Sequence, residues 1–181
     1  MGRLNIIDDY LPQDKVDTLN NLRIEYAKVH WIGWECTLSD NPLIDLVMST
    51  KPMMKERAHG ATAWYNVRPV NPKWHSDITS YNDGYPTNNL PEHTFLYYMR
   101  EPDSGGELEI GGPEWSINKT FAPKENRLLY FDATLTHRVQ PYEGNRVSVA
   151  WVWWPVPPDR YDPLMLTNTS YHVLERVWNE N

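Results

Sequence analysis

The chain has 181 residues, a net charge of −7, 40% hydrophobic residues and 13% aromatic ones. That length suits one domain able to bury a core, the composition excludes a disordered or fibrous chain, and the acidic balance argues against a nucleic-acid partner, whose phosphates need a basic face. Cys36, the only cysteine, excludes an internal disulfide and reads as a small buried apolar residue. No charged-then-apolar leader opens the chain and no apolar run reaches about 18 residues, so a soluble cytoplasmic protein with no membrane partner is expected.

Residues 3–7 read as a short strand. Leu11, Val16, Leu19, Leu22, Tyr26 and Val29 recur at three- and four-residue steps, one face of a helix over about 12–29 that starts near Pro12. A shorter helix is expected over about 42–48, capped by Asp40 or Asn41. From residue 61 the pattern turns to β, with strands expected over about 61–68, 74–78, 94–100, 106–110, 115–117, 127–132, 136–140 and 146–154. Asn82-Asp83-Gly84, Pro102–Gly106, Gly111-Gly112-Pro113 and Glu143-Gly144-Asn145 supply the turns between them. After Pro155, Pro157 and Pro158 a closing helix is expected over 169–178. The fold class is mainly β with flanking helices. The architecture is a double-stranded β-helix, a jelly-roll or cupin-like barrel with N-terminal helices packed on one sheet. Residues 1–181 make one domain: strand plus helices over 1–60, barrel over 61–154, tail over 155–181.

Within the last strand, Arg146, Ser148, Ala150 and Val152 share one face, and Val147, Val149, Trp151 and Trp153 the other. The first is small and partly polar, as a pocket wall needs; the second is bulky and apolar, as a helix-covered face needs. His75 and Asp77 sit two apart, on one side of an expected strand, and His137 follows another. A lone His-x-Asp is weak, because 6 His and 12 Asp give about 0.4 chance matches per chain. Strand context raises it: two imidazoles and a carboxylate form the facial triad of non-haem Fe(II) oxygenases, with coordination positions left open. A guanidinium at Arg146 suits a bidentate grip on a carboxylate. Residues 51–73 carry Lys51, Lys55, Arg57, Arg68 and Lys73 against Glu56, a solvated edge in the simpler reading and a funnel for an acidic cosubstrate in the sharper one. His30, His59, His93 and His172 lack a paired ligand and read as surface or structural, and Asp132 as a turn residue.

Together these residues resemble the 2-oxoglutarate- and Fe(II)-dependent dioxygenases, in particular their prolyl-4-hydroxylase-like branch. Leu96-Tyr97-Tyr98-Met99 followed by Ser104-Gly105-Gly106-Glu107-Leu108 is similar to the family's Tyr-Tyr-Leu strand and Gly-Gly-x-Leu turn. Leu128–Phe131, His137–Pro141 and Arg146 are similar to the strand bearing the second His and its following basic residue. The resemblance implies Fe(II) on His75, Asp77 and His137, and 2-oxoglutarate held by Arg146, with Tyr98, Tyr65 and Ser148 adding hydrogen bonds. It implies O2 as co-reactant, ascorbate as a reductant, and hydroxylation of a C–H bond with release of succinate and CO2. Collagen-type prolyl hydroxylases usually carry Lys where this chain has Arg146, so kinship leans to the Arg-using enzymes. The 78–93 loop is long, and reads as a lid or substrate-reading element in which Tyr81 and Tyr85 contact substrate.

The implied substrate is a prolyl residue in a protein or peptide. A small-molecule or amino-acid hydroxylase of the same chemistry is the first alternative. A non-catalytic metal-binding jelly-roll is the second, disfavoured because a structural site normally closes its sphere with a fourth protein ligand.

Overall fold

The computed structural model describes residues 4–22, 29–33, 41–54, 58–66, 73–77, 91–111 and 119–155. In chain order these form β1 (Leu4–Ile7), α1 (Gln13–Asn20), β2 (Val29–Gly33), α2 (Pro42–Ser49), β3 (Gly60–Asn66), β4 (His93–Arg100), β5 (Ser104–Gly105), β6 (Leu108–Ile110), β7 (Lys119–Phe121), β8 (Arg127–Asp132), β9 (His137–Val139), β10 (Tyr142–Glu143) and β11 (Val147–Trp154).

Six strands form one antiparallel sheet in the order β1-β8-β4-β11-β3-β2. A smaller sheet, β7-β6-β9, is widened by a bridge between His75 and His137. The short β10–β5 pair lies apart from both. The expected jelly-roll, mainly β with helices on one sheet, is the fold observed.

Strand alternation decides what each face of the large sheet does. All of β11 is buried. Val147, Val149, Trp151 and Trp153 pack with Tyr65, Phe95 and Tyr97 against Leu43, Ile44, Leu46 and Val47 of α2 and Leu19 of α1. Each buried indole contributes on the order of 4–6 kcal/mol of gross burial energy, but its N–H then needs an acceptor inside. Thr50, just after α2, supplies one: its Oγ1 accepts from Nε1 of Trp151 at 3.1 Å and of Trp153 at 3.0 Å, and donates to the Val47 carbonyl at 2.7 Å. The opposite face carries Leu96, Tyr98, Leu129, Phe131 and Ala150, which pack toward Leu108, Ile110 and Leu135 of the smaller-sheet side.

Asn41 caps α2 as expected, its Oδ1 accepting from Leu43 N at 3.0 Å. The helix expected over 12–29 is shorter. It ends at Asn20, whose carbonyl is taken by Arg100 Nη2 at 2.8 Å, and Val29–Gly33 pair instead with β3. The three-to-four spacing persists past residue 20, but non-local pairing with a buried strand outweighs local periodicity. Strand pairing is also narrower than expected around His75, where the described part of the strand expected over 74–78 makes a single bridge; β5, inside the expected turn Pro102–Gly106, β7 and β10 were not expected. The expected strand at 115–117, most of the 78–93 loop with Tyr81 and Tyr85, Cys36, and the closing helix at 169–178 lie outside the described residues. Among the described residues no helix is long and apolar enough to cross a membrane.

Candidate active site

Between the two sheets lies a cavity of about 510 Å³ whose walls include His75, Asp77, His137 and Arg146. His75 and His137 face each other across the smaller sheet. Each backbone N–H donates to the other's carbonyl, at 3.0 and 2.7 Å, and the rings lie 4.5 Å apart. Asp77, two residues on from His75, turns to the same side, and one ligand atom from each of the three residues lies within 4.8 Å of the others.

Both imidazoles are held by their Nδ1 atoms. His75 Nδ1 lies 2.9 Å from the Lys73 carbonyl and His137 Nδ1 3.0 Å from the Leu135 carbonyl. A carbonyl can only accept, so Nδ1 carries the proton and Nε2 presents its lone pair inward. The Nε2 atoms lie 3.9 Å (His75) and 3.7 Å (His137) from the Asp77 carboxylate. Asp132 is the turn residue the sequence suggests: its Oδ1 accepts from Thr134 N at 2.9 Å, and its carbonyl accepts from Leu135 N at 2.9 Å. That turn aims the Leu135 carbonyl at His137. Burial holds the His137 pKa below its ordinary value; Asp77 opposes this shift and His75 reinforces it. A neutral imidazole is the form that binds metal.

At another part of the cavity Arg146 is only 2% exposed. Its guanidinium carbon sits 5.1 Å from the Tyr98 ring centre and 5.5 Å from that of Tyr142. Yet its Nε and Nη2 have no hydrogen-bond partner among the described residues, and neither do the buried hydroxyls of Tyr98 and Ser148. Burial raises the Tyr98 pKa while Arg146 works against the rise, so the phenol stays a donor at working pH. Ser148 stands opposite Tyr98 on the adjacent strand. A buried cation and two buried hydroxyls thus stand together without a carboxylate among the described residues, a costly arrangement unless an anion completes it. A dicarboxylate fits that donor set, and the three inward ligand atoms fit a divalent cation.

The structure thus brings His75, Asp77, His137 and Arg146 to one cavity, with Tyr98 and Ser148 beside Arg146. It does not bring Tyr65 there. Tyr65 belongs to the helix-side core, where burial pushes its pKa up to about 12. Alternation along β3 gives the cavity its neighbours Trp64 and Asn66 instead. Sequence reasoning missed Thr94 and Tyr142, which line the cavity, and Lys73, the last residue of the basic 51–73 stretch, lines it too. For Thr94 a signal existed: it shares strand parity with Leu96 and Tyr98. Tyr142 carries none.

A barrel with a two-histidine, one-carboxylate face and a buried guanidinium with no partner for Nε and Nη2 among the described residues has the features of a non-haem iron oxygenase. Residues 62–154, 93 of the 181, match the 2OG-Fe(II) oxygenase superfamily, and the chain belongs to that family. It is therefore an oxidoreductase of the dioxygenase type, and membership of the family implies Fe(II), 2-oxoglutarate and O2. Comparison with curated proteins returned no match. Among solved structures, the fold is similar to the viral collagen prolyl hydroxylase of Paramecium bursaria Chlorella virus-1 (16% identity, TM-score 0.62, covering 85% of this chain and 90% of that one). It is also similar to a prolyl-4-hydroxylase of Pseudomonas putida (13%, 0.60, 85% and 93%). A third likeness is a Trichoplax adhaerens prolyl hydroxylase in complex with a hypoxia inducible factor oxygen degradation domain peptide fragment (18%, 0.52, 84% and 83%).

Proposed function

We propose that the described barrel, acting with the rest of residues 1–181 as one domain, hydroxylates a prolyl residue of a protein or peptide. His75, Asp77 and His137 hold Fe(II), and Arg146, Tyr98 and Ser148 hold the distal carboxylate of 2-oxoglutarate. Bound Fe(II), with 2-oxoglutarate and O2, supplies the oxidising power that turns C–H into C–OH and releases succinate and CO2, with ascorbate as the reductant that keeps the metal ferrous.

The single observation that carries this reading is that one cavity joins three inward ligand atoms to a buried guanidinium with two unpaired nitrogens. Arg146 stays charged at every working pH and offers a planar fork that matches a carboxylate. The hydroxyls of Tyr98 and Ser148, buried without a partner among the described residues, would donate to the same carboxylate. Leu96, Leu108, Phe131 and Val139 line it with apolar surface, which excludes water and strengthens the charge pairing. The Nδ1 protons of both histidines stay on backbone carbonyls, which fixes each ring. The prolyl substrate is supported by the prolyl hydroxylases whose fold this chain shares, one of them solved with a peptide.

Anaerobic addition of Fe(II) and 2-oxoglutarate should produce a weak visible charge-transfer band, and air should then yield succinate. His137→Ala should abolish both. Mass spectrometry would follow the gain of one oxygen atom on proline-containing peptides and on free amino acids. Gain on amino acids alone would replace the prolyl assignment with small-molecule hydroxylation; no band and no succinate would leave a binding module.

A further inference from the structure

We propose that Thr94 is a positioning residue that sets how Asp77 presents its carboxylate to the metal. The inference rests on the reading of this cavity as an Fe(II) site. Thr94 lies on β4 of the large sheet, opposite Phe131 and Val152, and is 2% exposed. Its Oγ1 donates to Asp77 Oδ2 at 2.7 Å. Asp77 itself follows the His75 bridge on the smaller sheet, so this bond crosses the cavity between the sheets.

The chemistry of the two partners explains what the bond does. An aspartate carboxylate turns easily about its last torsion, which is broad and roughly two-fold. A metal beside an unrestrained carboxylate can take one oxygen or both. An ionised carboxylate only accepts, so the Thr94 hydroxyl must be the donor, and it takes one of the two lone pairs on Oδ2. Oδ1, 3.9 Å from His75 Nε2, receives no bond from Thr94. That asymmetry favours Oδ1 as the metal-binding oxygen, so the carboxylate would bind through one oxygen and leave the position of a second free for the cosubstrate and O2. Thr suits this task because its branched Cβ leaves little χ1 freedom and β11 and β8 pack on either side of its strand. The same strand carries Tyr98 on the same face, about 13 Å further along at the strand rise, beside Arg146. One rigid strand therefore spaces the metal end of the site from the carboxylate end.

A merely structural hydroxyl would affect folding and leave metal binding alone. The test is therefore anaerobic titration of the metal-free protein with Co(II), read by its visible spectrum, beside the melting temperature of each metal-free variant. Thr94→Val, which keeps the shape and deletes the donor, should weaken Co(II) binding by about 10–100-fold and change the band intensities as the carboxylate moves to two-oxygen binding. Thr94→Ser should keep the wild-type affinity and spectrum. Should Thr94→Val not fold, Thr94→Ala carries the same expectation. An unchanged affinity and spectrum in the donor-free variants would overturn the proposal, as would a Ser variant as weak as the Val one. A wild-type protein that takes up no Co(II) would instead overturn the metal site itself, and this inference with it.

Discussion

Arg146 concentrates the chemistry of the site in one side chain. A fully buried guanidinium without a carboxylate partner is expensive to keep, and here two aromatic rings flank it while Nε and Nη2 have no partner among the described residues. The ring faces offset part of the desolvation cost; the rest is recovered when an anion arrives. Removing one partner of a buried charged pair costs about 2–5 kcal/mol, so Arg146→Ala should weaken 2-oxoglutarate binding at least about 30-fold. Anaerobic titration of the Fe(II)-loaded protein would measure it. Co(II) affinity should not change, because Arg146 is not among the metal-site residues. Arg146→Lys should restore only part of the loss, since an ammonium cannot reproduce the fork. Unaltered 2-oxoglutarate affinity in Arg146→Ala would remove the residue from its role.

Strands and turns decide which of these side chains meet. Gly105 and Gly106 have φ of +71° and +79°, and a Cβ on Gly106 would stand 3.0 Å from Arg146 Cδ and 3.2 Å from Pro102 Cγ. Gly106→Ala combines a disfavoured backbone with pressure on the guanidinium stem. It should lower stability by about 1–3 kcal/mol and weaken 2-oxoglutarate binding together, measured by denaturant unfolding and by the same titration. Thr50→Val tests the other side of the sheet. It removes the acceptor shared by two indoles and should cost about 1–3 kcal/mol while leaving Co(II) and 2-oxoglutarate affinity intact. Legibility followed the same lines. His75 and Asp77 could be read together because they sit two apart, His137 because it follows a strongly patterned strand, and the two faces of β11 because alternation along one strand needs no partner; the bridge that joins His137 to His75 is a long-range contact. Tyr65 was misplaced because a role implied by resemblance says nothing about which face of β3 it occupies. Thr94 and Tyr142 went unread because their roles depend on cross-sheet neighbours. The helix expected to reach residue 29 gave way at Asn20 to pairing with β3, a contact no local pattern encodes.

At the scale of the molecule, the barrel keeps a dense core on the helix-covered face of its large sheet and a cavity on the other. Stability and chemistry are thereby separated. Among the described residues β1 ends the large sheet, paired there with β8 alone, and its Ile6 is 44% exposed. Ionic contacts pin the end of that strand. Asp8 accepts from Arg127 Nε at 2.6 Å and Nη2 at 3.0 Å, with Lys124 Nζ at 3.2 Å. The bidentate Arg127 contact, opposed in part by desolvation and helped by Lys124, holds the Asp8 carboxyl down at about 2, from an ordinary 3.8. A carboxylate whose folded pKa is depressed contributes stability above its unfolded pKa and loses it as the pH falls through the folded one. Asp8→Asn should therefore melt about 1–3 °C below wild type near neutral pH. The gap should hold down to about pH 4 and close toward pH 2. High salt should narrow it as well, because Asp8 is well exposed and its partners are screened. A gap that persisted unchanged at pH 2 would assign the loss to packing at the edge strand instead of to the charge on Asp8.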